Sequence, residues 1–356
     1  MRLSIFSSNR ANNSWWDSLL ASVLICIIVV ASSEFYLGYR GYSPWVSDSS
    51  ALWGSHRELA NKYTNPIILV GASRIQLDID VEELQRLSKR SVVQLAIDGQ
   101  DGVPVLENLA NDPLFNGTVI VALQESTISK PYVSTGTVSR WIASYEQRHR
   151  GTIAPNLDAQ LNAIFQIVSN YHSIEIGNNQ LFERIINGVP GVIYLKTTVL
   201  RDRYADYGLV KQPDFYMGRV LRHLGYVPDN FPPNTFDEFY EAMRFEISTI
   251  RQSSTAFLSE NTNRLVSLVK TIEGRGGSVM FMRMPTDKLI HTIDERRYPK
   301  GVFWNAVSNS GVKALHFDDI DGIDSFFLPD GSHMDQSQKI DFTKKLFHEI
   351  TARSWL

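Results

Sequence analysis

Pro66-Ile-Ile-Leu-Val-Gly-Ala-Ser-Arg74 is the stretch that decides how this chain folds. Its aliphatic run from Ile67 to Val70, closed by Gly71, is apolar at successive positions, which suits a strand buried on both faces. The small-residue turn Gly71-Ala72 then leaves the Ser73 hydroxyl at the carboxyl end of that strand, the edge of an open α/β sheet where ligands gather. Asp80-Val-Glu-Glu83 has capping-box spacing, an acceptor at the cap with a glutamate three residues later, and opens a helix through Leu84 and Leu87. A second strand is expected over Ser91–Ile97, ending in Asp98-Gly-Gln-Asp-Gly102. A helix through Val105, Leu106 and Leu109 leads to a third strand over Thr118–Leu123. Strands alternating with helices imply a parallel sheet.

The alternation lapses from about Lys130 to Asn261, where helices are expected around Leu157–Val168 and Phe236–Ile272, separated by loops such as Val227-Pro-Asp-Asn-Phe-Pro-Pro-Asn234. It resumes with strands at Ser278–Met284 and Val312–Phe317 and ends in an amphipathic helix from about Gln336 to Arg353. The expected fold class is α/β, a flavodoxin-like doubly wound sheet of five parallel strands in the order 2-1-3-4-5 with helices on both faces. Residues 64–129 and 262–356 form the expected α/β domain, and residues 130–261 a mostly helical insertion that emerges from the ligand edge and roofs it.

Ahead of the domain, Trp15–Ser33 carries one charge, Asp17, and an unbroken apolar heart from Val23 to Ala31. At about 1.5 Å per residue this stretch just covers a hydrocarbon core of roughly 30 Å. Trp15 and Trp16 at one end and Phe35, Tyr36 and Tyr39 at the other suit two headgroup layers. Arg2 and Arg10 precede the stretch and Glu34 follows, a bias that puts residues 1–14 in the cytoplasm and the main domain outside, in the periplasm of a Gram-negative cell. Residues 15–36 are thus read as a single-pass anchor and 37–63 as a Ser-rich juxtamembrane segment with a short helical stretch. The alternatives are a cleaved signal peptide, for which Ala31-Ser-Ser33 supplies small residues, and a buried core helix.

Composition narrows the chemistry. A net charge of −3 gives no chain-wide attraction to nucleic acid, so no nucleic-acid partner is expected. Cys26 is the only cysteine, which excludes an intramolecular disulfide and a zinc site built on thiolates. No Gly-x-Gly-x-x-Gly fingerprint, phosphate loop or metal motif is present, and no cofactor is implied. Catalysis by this chain must use oxygen, nitrogen or carboxylate groups.

Two motifs supply them. Gly71-Ala-Ser-Arg74 offers a hydroxyl after the first strand, and Asp330-Gly-Ser-His333 offers a base just before the last helix, which Asp335 and Gln338 are placed to cap. Serine is a poor nucleophile unless a base takes its proton, and histidine is a better base when a carboxylate fixes its tautomer. An aspartate three residues before a histidine, across a tight turn, supplies that orientation locally. Taken singly, each motif is more often only a turn; their placement on one sheet edge points to a catalytic Ser73, His333 and Asp330.

In this order of blocks the chain resembles the SGNH (GDSL-like) hydrolase superfamily, specifically its membrane-anchored extracytoplasmic members associated with cell-envelope polysaccharide O-acylation. The similarity spans roughly Pro66 to Arg353 without the insertion. The resemblance implies Ser73 as nucleophile, His333 as base and Asp330 as its partner, with an oxyanion hole from the N–H groups of Ser73 and Gly99. The family's third block ends in Gly-x-Asn-Asp, whereas this chain reads Val121-Ala-Leu-Gln-Glu-Ser126. Gln124 is then the candidate third oxyanion donor, displaced by one methylene. The implied activity is an esterase or O-acyltransferase acting on an envelope or exported polysaccharide, with an acyl donor or a membrane acyltransferase as partner. A non-catalytic glycan-binding or assembly subunit with a degenerate site, and a secreted lipase or esterase, are the alternatives.

Other residues at the ligand edge have two readings each. Arg74 and Arg283 are candidate substrate-binding groups or strand-edge salt bridges. His316, before Asp318 and Asp319, suggests a metal site with His333 but lacks ligand spacing, and no metal is expected. His149, His172 and His223 read as solvated or capping residues. Trp141, Tyr145 and the tyrosines from Tyr204 to Tyr216 are a sugar-stacking wall or, as is commoner, core.

Overall fold

A computed structural model describes residues 11–39, 46, 48–150, 195–209, 241 and 244–356. The chain divides into two units, the larger comprising Val46–Asn162 and Tyr194–Leu356, the smaller containing the N-terminal helix.

That helix, α1 (Ala11–Tyr39), contains one stretch long and apolar enough to cross a membrane, Trp15–Ser33, and its apolar side chains are exposed. The hydroxyls of Ser22 and Ser33 donate to the carbonyls of Ser18 and Val29, four residues back, so neither needs water or a second chain to satisfy it.

The larger unit holds a five-stranded, wholly parallel sheet. Its elements begin with α2 (Ser50–Lys62), β1 (Ile67–Val70), α3 (Ser73–Asp78), α4 (Val81–Ser88), β2 (Val92–Gln94), α5 (Val103–Ala110) and β3 (Thr118–Ala122). Then come α6 (Glu125–Ile128), α7 (Gly136–Arg150), the short strands β4 (Leu195–Thr197) and β5 (Arg203–Ala205), α8 (Arg244–Ser248) and α9 (Leu258–Glu273). The chain closes with β6 (Ser278–Arg283), α10 (Lys288–Arg297), α11 (Phe303–Ser308), β7 (Lys313–His316) and α12 (Gln336–Ala352). The sheet order is β2-β1-β3-β6-β7, which is the expected 2-1-3-4-5 when only its own strands are counted.

Alternate residues of each strand feed two cores. Ile68, Val70, Val119, Val121, Val279 and Phe281 face α2, α5, α9 and α11; Ile67, Leu69, Ile120, Met280 and Met282 face α4 and α12. A fully buried aliphatic side chain contributes about 1.5–3 kcal/mol, so burial on both sides explains why these strands read as continuous apolar runs.

Several expectations change in detail. The second strand is shorter than Ser91–Ile97, yet its ladder continues, because Leu95 and Ile97 donate to the carbonyls of Leu69 and Gly71. Asp80 caps α4 through the N–H of Glu83 at 2.8 Å, but the box is not reciprocal: Glu83 pairs with Arg86, and Thr343 accepts from the Asp80 N–H instead. Asp335 caps α12, while Gln338 turns away to accept from Phe327 N–H. The segment 37–63 contains more than an approach to the domain, since α2 packs Trp53 into the core and its indole donates to Leu95 O at 2.9 Å.

The expected helix over Phe236–Ile272 is broken where described. Between α8 and α9 the chain leaves helical geometry and Ser253 donates to Arg297 O. The described part of the insertion also contains the antiparallel hairpin β4–β5, which the sequence reading lacked. The expected helix at Leu157–Val168 and the loop at Val227–Asn234 lie outside the described residues.

Candidate active site

β1 ends where it does because Gly71 lies against β3: a Cβ there would sit 2.7 Å from Ala122 Cβ. The chain therefore turns at once into α3, and Ser73, its first residue, comes to the carboxyl edge of the sheet. The loop before α12 delivers the other half. Gly331 adopts φ +83, a conformation costly for residues with a Cβ, and folds Asp330-Gly-Ser-His333 back on itself. Asp330 Oδ1 accepts from the N–H groups of Ser332 (2.9 Å) and His333 (2.8 Å), while Oδ2 faces His333 Nδ1 at 2.8 Å. His333 Nε2 lies 2.9 Å from Ser73 Oγ.

The proton positions follow from this geometry. Burial works to raise the Asp330 pKa, but hydrogen bonds and the charge of His333, with donors from Tyr207 and Ser332, bring it below the ordinary carboxylate value. A carboxylate only accepts, so His333 Nδ1 carries the hydrogen and Nε2 is left to accept from the Ser73 hydroxyl.

A fourth member of the relay escaped the sequence reading. Tyr207, in a short 3-10 turn just after β5, is buried and donates its hydroxyl to Asp330 Oδ2, and its N–H donates to Asp335 Oδ2 at 2.8 Å. The inserted hairpin thus reaches the carboxylate behind His333. The dense polar and aromatic run Arg201-Asp-Arg-Tyr-Ala-Asp-Tyr207 was the available signal, but nothing local names its partner. Asp78 was missed as well. One of its oxygens accepts from Met334 N–H at 2.9 Å, the other is buried without a hydrogen bond, and burial pushes its pKa well up.

A cavity of about 320 Å³ opens over Ser73 and His333, lined also by Arg74, Gly99, Gln124 and Arg283. No hydrogen bond from the N–H of Ser73 or Gly99 is found among the described residues. Gln124 accepts weakly from Ser126 Oγ at 3.5 Å, and its amide nitrogen has no protein acceptor among the described residues. Arg283 reaches the cavity wall but is engaged elsewhere: Nε donates to Glu125 Oε2 (2.8 Å), Nη1 to Met284 O (2.9 Å) and Nη2 to Asp294 Oδ2 (2.5 Å). Burial opposes ionisation of Glu125, yet Arg283 and His316 bring its pKa down to about 2. This pair fixes the loop that carries Gln124.

His316 lies apart from His333. Its Nε2 is 3.6 Å from Glu125 Oε1, its Nδ1 accepts from Asp318 N–H, and its ring stacks on Phe317. Trp141 and Tyr145 do not line the cavity; Tyr145 packs edge-on against Trp53 and Trp141 packs against the same core, so the core reading applies to them. The Tyr204 hydroxyl lies between Asp80 Oδ2 at 2.9 Å and Asp202 Oδ2 at 3.1 Å. The His149 side chain, His172, His223 and Tyr216 lie outside the described residues.

Tyr207→Phe is expected to lower ester kcat/KM by about 10-fold, the order of one hydrogen bond to a charged group. An unchanged kcat/KM with a lowered melting temperature would leave Tyr207 a packing residue only.

Comparison with protein-family models gives no match to this chain, and comparison with curated proteins gives none either.

Proposed function

We propose that this chain is a membrane-anchored serine esterase or O-acyltransferase of the SGNH (GDSL-like) type, acting on acyl esters of a cell-envelope or exported polysaccharide. The observation that carries the reading is the continuous relay from Ser73 Oγ through both nitrogens of His333 to Asp330, opening into a cavity. In this reading Ser73 Oγ adds to the ester carbonyl while its proton passes to His333 Nε2. The oxyanion is held by the N–H groups of Ser73 and Gly99, with the amide of Gln124 as third donor. Collapse releases the alcohol, which takes the proton from His333, and leaves Ser73 acylated. Water or a sugar hydroxyl then reverses the sequence, giving hydrolysis or transfer.

Arg283 serves this chemistry as a positioning residue for the Gln124 loop. In this reading the Trp15–Ser33 helix anchors the chain with its N-terminus in the cytoplasm and the α/β unit outside, on the side that newly exported polymer and a membrane acyl-transfer partner reach, and this favours transfer. The glutamine in place of the family's asparagine favours a second reading, a glycan-binding subunit without turnover.

The test labels the membrane-extracted, full-length protein with a fluorophosphonate. Covalent labelling of wild type, absent in Ser73→Ala, in a band that still contains the Trp15–Ser33 peptide supports the proposal. An unlabelled wild type removes the activated serine, and a labelled soluble form starting near Glu34 removes the anchor.

A further inference from the structure

We infer that the cavity takes an acyl ester bearing a nearby anionic group, a carboxylate or a phosphate, and that Arg74 is the residue that binds it. The inference rests on the serine-ester reading above and adds the charge of the substrate.

Four arginines are buried in the described structure: Arg57, Arg74, Arg201 and Arg283. Three are neutralised by a carboxylate in contact, Asp112 at 2.7 Å for Arg57, Asp48 at 2.7 Å for Arg201 and Glu125 at 2.8 Å for Arg283. Arg74 is the exception. It is only 9% exposed, it lines the cavity beside Ser73, and among the described residues no carboxylate pairs with it. Its single hydrogen bond, from Nε to Ser332 Oγ at 2.7 Å, orients the guanidinium and leaves both terminal nitrogens without a protein acceptor among the described residues.

A buried charge is costly unless it is paired. The two acids that feel the Arg74 charge are otherwise engaged: Asp78 is pushed well up by burial, and Asp287 is pushed up to about 6 by burial while it caps α10. The cavity's own carboxylate, Asp101, accepts from Val103 N–H at 2.9 Å. A guanidinium fixed at Nε presents its two remaining nitrogens as a fork, the geometry that matches a carboxylate or phosphate with two parallel hydrogen bonds. An anion arriving with the ester completes the pairing that the other three arginines already have. It also draws the ester to Ser73, the adjacent residue, which ties recognition of charge to placement of the carbonyl.

The test uses the full-length protein in detergent micelles and two matched ester pairs. Methyl 3-O-acetylglucuronide against methyl 3-O-acetylglucoside probes the carboxylate, and 1-acetylglycerol 3-phosphate against 1-acetylglycerol probes the phosphate. The expected result is a kcat/KM preference of about 10- to 100-fold for the anionic member of one pair. That preference should collapse towards unity in Arg74→Gln and return in part in Arg74→Lys, and the pair that shows it identifies the anion. Because a ratio is read, a general loss of rate in the variant cancels. Equal ratios in wild type and Arg74→Gln for both pairs overturn the inference.

Calorimetric titration of full-length Ser73→Ala with glucuronate and with glycerol 3-phosphate separates this inference from the ester reading. Binding that Arg74→Gln abolishes, in a protein whose wild type turns over no ester, keeps the anion site and removes the serine chemistry. Binding that is absent, or unchanged by Arg74→Gln, removes the anion site.

Discussion

Ser73→Ala and His333→Ala should each lower ester turnover by roughly 10⁴–10⁶-fold, and the double variant by little more, because nucleophile and base act as one unit. The residue left behind is catalysis by the oxyanion donors and by binding alone. Asp330→Asn should be nearly as damaging, for a reason specific to this site. Asp330 Oδ1 faces two backbone N–H groups that cannot turn away, so the new amide nitrogen must take the Oδ2 position, opposite His333 Nδ1 and the Tyr207 hydroxyl. There it donates to Nδ1, which moves the imidazole hydrogen to Nε2 and leaves nothing to accept the Ser73 proton. The measurement is single-turnover kinetics on a chromogenic acetate ester, set beside polysaccharide O-acylation in cells with the variants at normal protein level. A glycan-binding subunit gives a different pattern: Ser73→Ala would weaken polymer binding by only about 0.5–1.5 kcal/mol and leave O-acylation unchanged. Wild-type acylation in both single variants would therefore end the catalytic reading.

What could be read in advance divides along a physical line. The strands β1, β3 and β6 were legible because they are buried on both faces, and burial writes itself into the sequence as an apolar run; the edge strand β7, half of it only partly buried, was legible from its place in the alternation. The relay was legible because Asp330 and His333 meet across one local turn, and because Ser73 follows a strand whose carboxyl end the topology brings to the same edge. Pairings made by the fold rather than by neighbours were not. Arg283, at the end of a strand, was open to a ligand or a salt-bridge reading; the ion pairs with Glu125 and Asp294 bear out the second, but those partners come from other elements and could not be named in advance. The β4–β5 hairpin was hidden because Leu195-Lys-Thr197 and Arg203-Tyr-Ala205 are too short to show a period, and beside a small apolar cluster with Leu77 and Tyr207 it makes buried polar contacts that leave no apolar signature.

Those contacts make the second large effect a loss of stability. Lys339 Nζ is fully buried against Asp202, and it also donates to Gln76 O (3.0 Å) and Arg203 O (2.6 Å). Asp202 in turn accepts from Val81 N–H (2.9 Å) and shares the Tyr204 hydroxyl (3.1 Å) with Asp80. One charge pair thereby joins α12, the start of α4 and the hairpin that carries Tyr207 towards Asp330. Lys339→Met removes the cation and leaves the carboxylate in the interior, which costs about 3–5 kcal/mol, or very roughly 6–20 °C in melting temperature for a body of this size. The deficit should depend on pH with a definite sign. Burial already pushes the Asp202 pKa up and Lys339 opposes it, so without Lys339 the folded-state pKa rises further above the unfolded value. A group raised in this way keeps its stability at low pH and loses it as pH rises through the folded value, so the gap to wild type should be wide at pH 8 and narrow towards pH 5. Asp202→Asn in the Lys339→Met background removes the stranded charge and should restore part of the loss at pH 8. A gap that is flat with pH, or a double variant no more stable than Lys339→Met, would mean that lost packing, not an unpaired carboxylate, dominates at this joint.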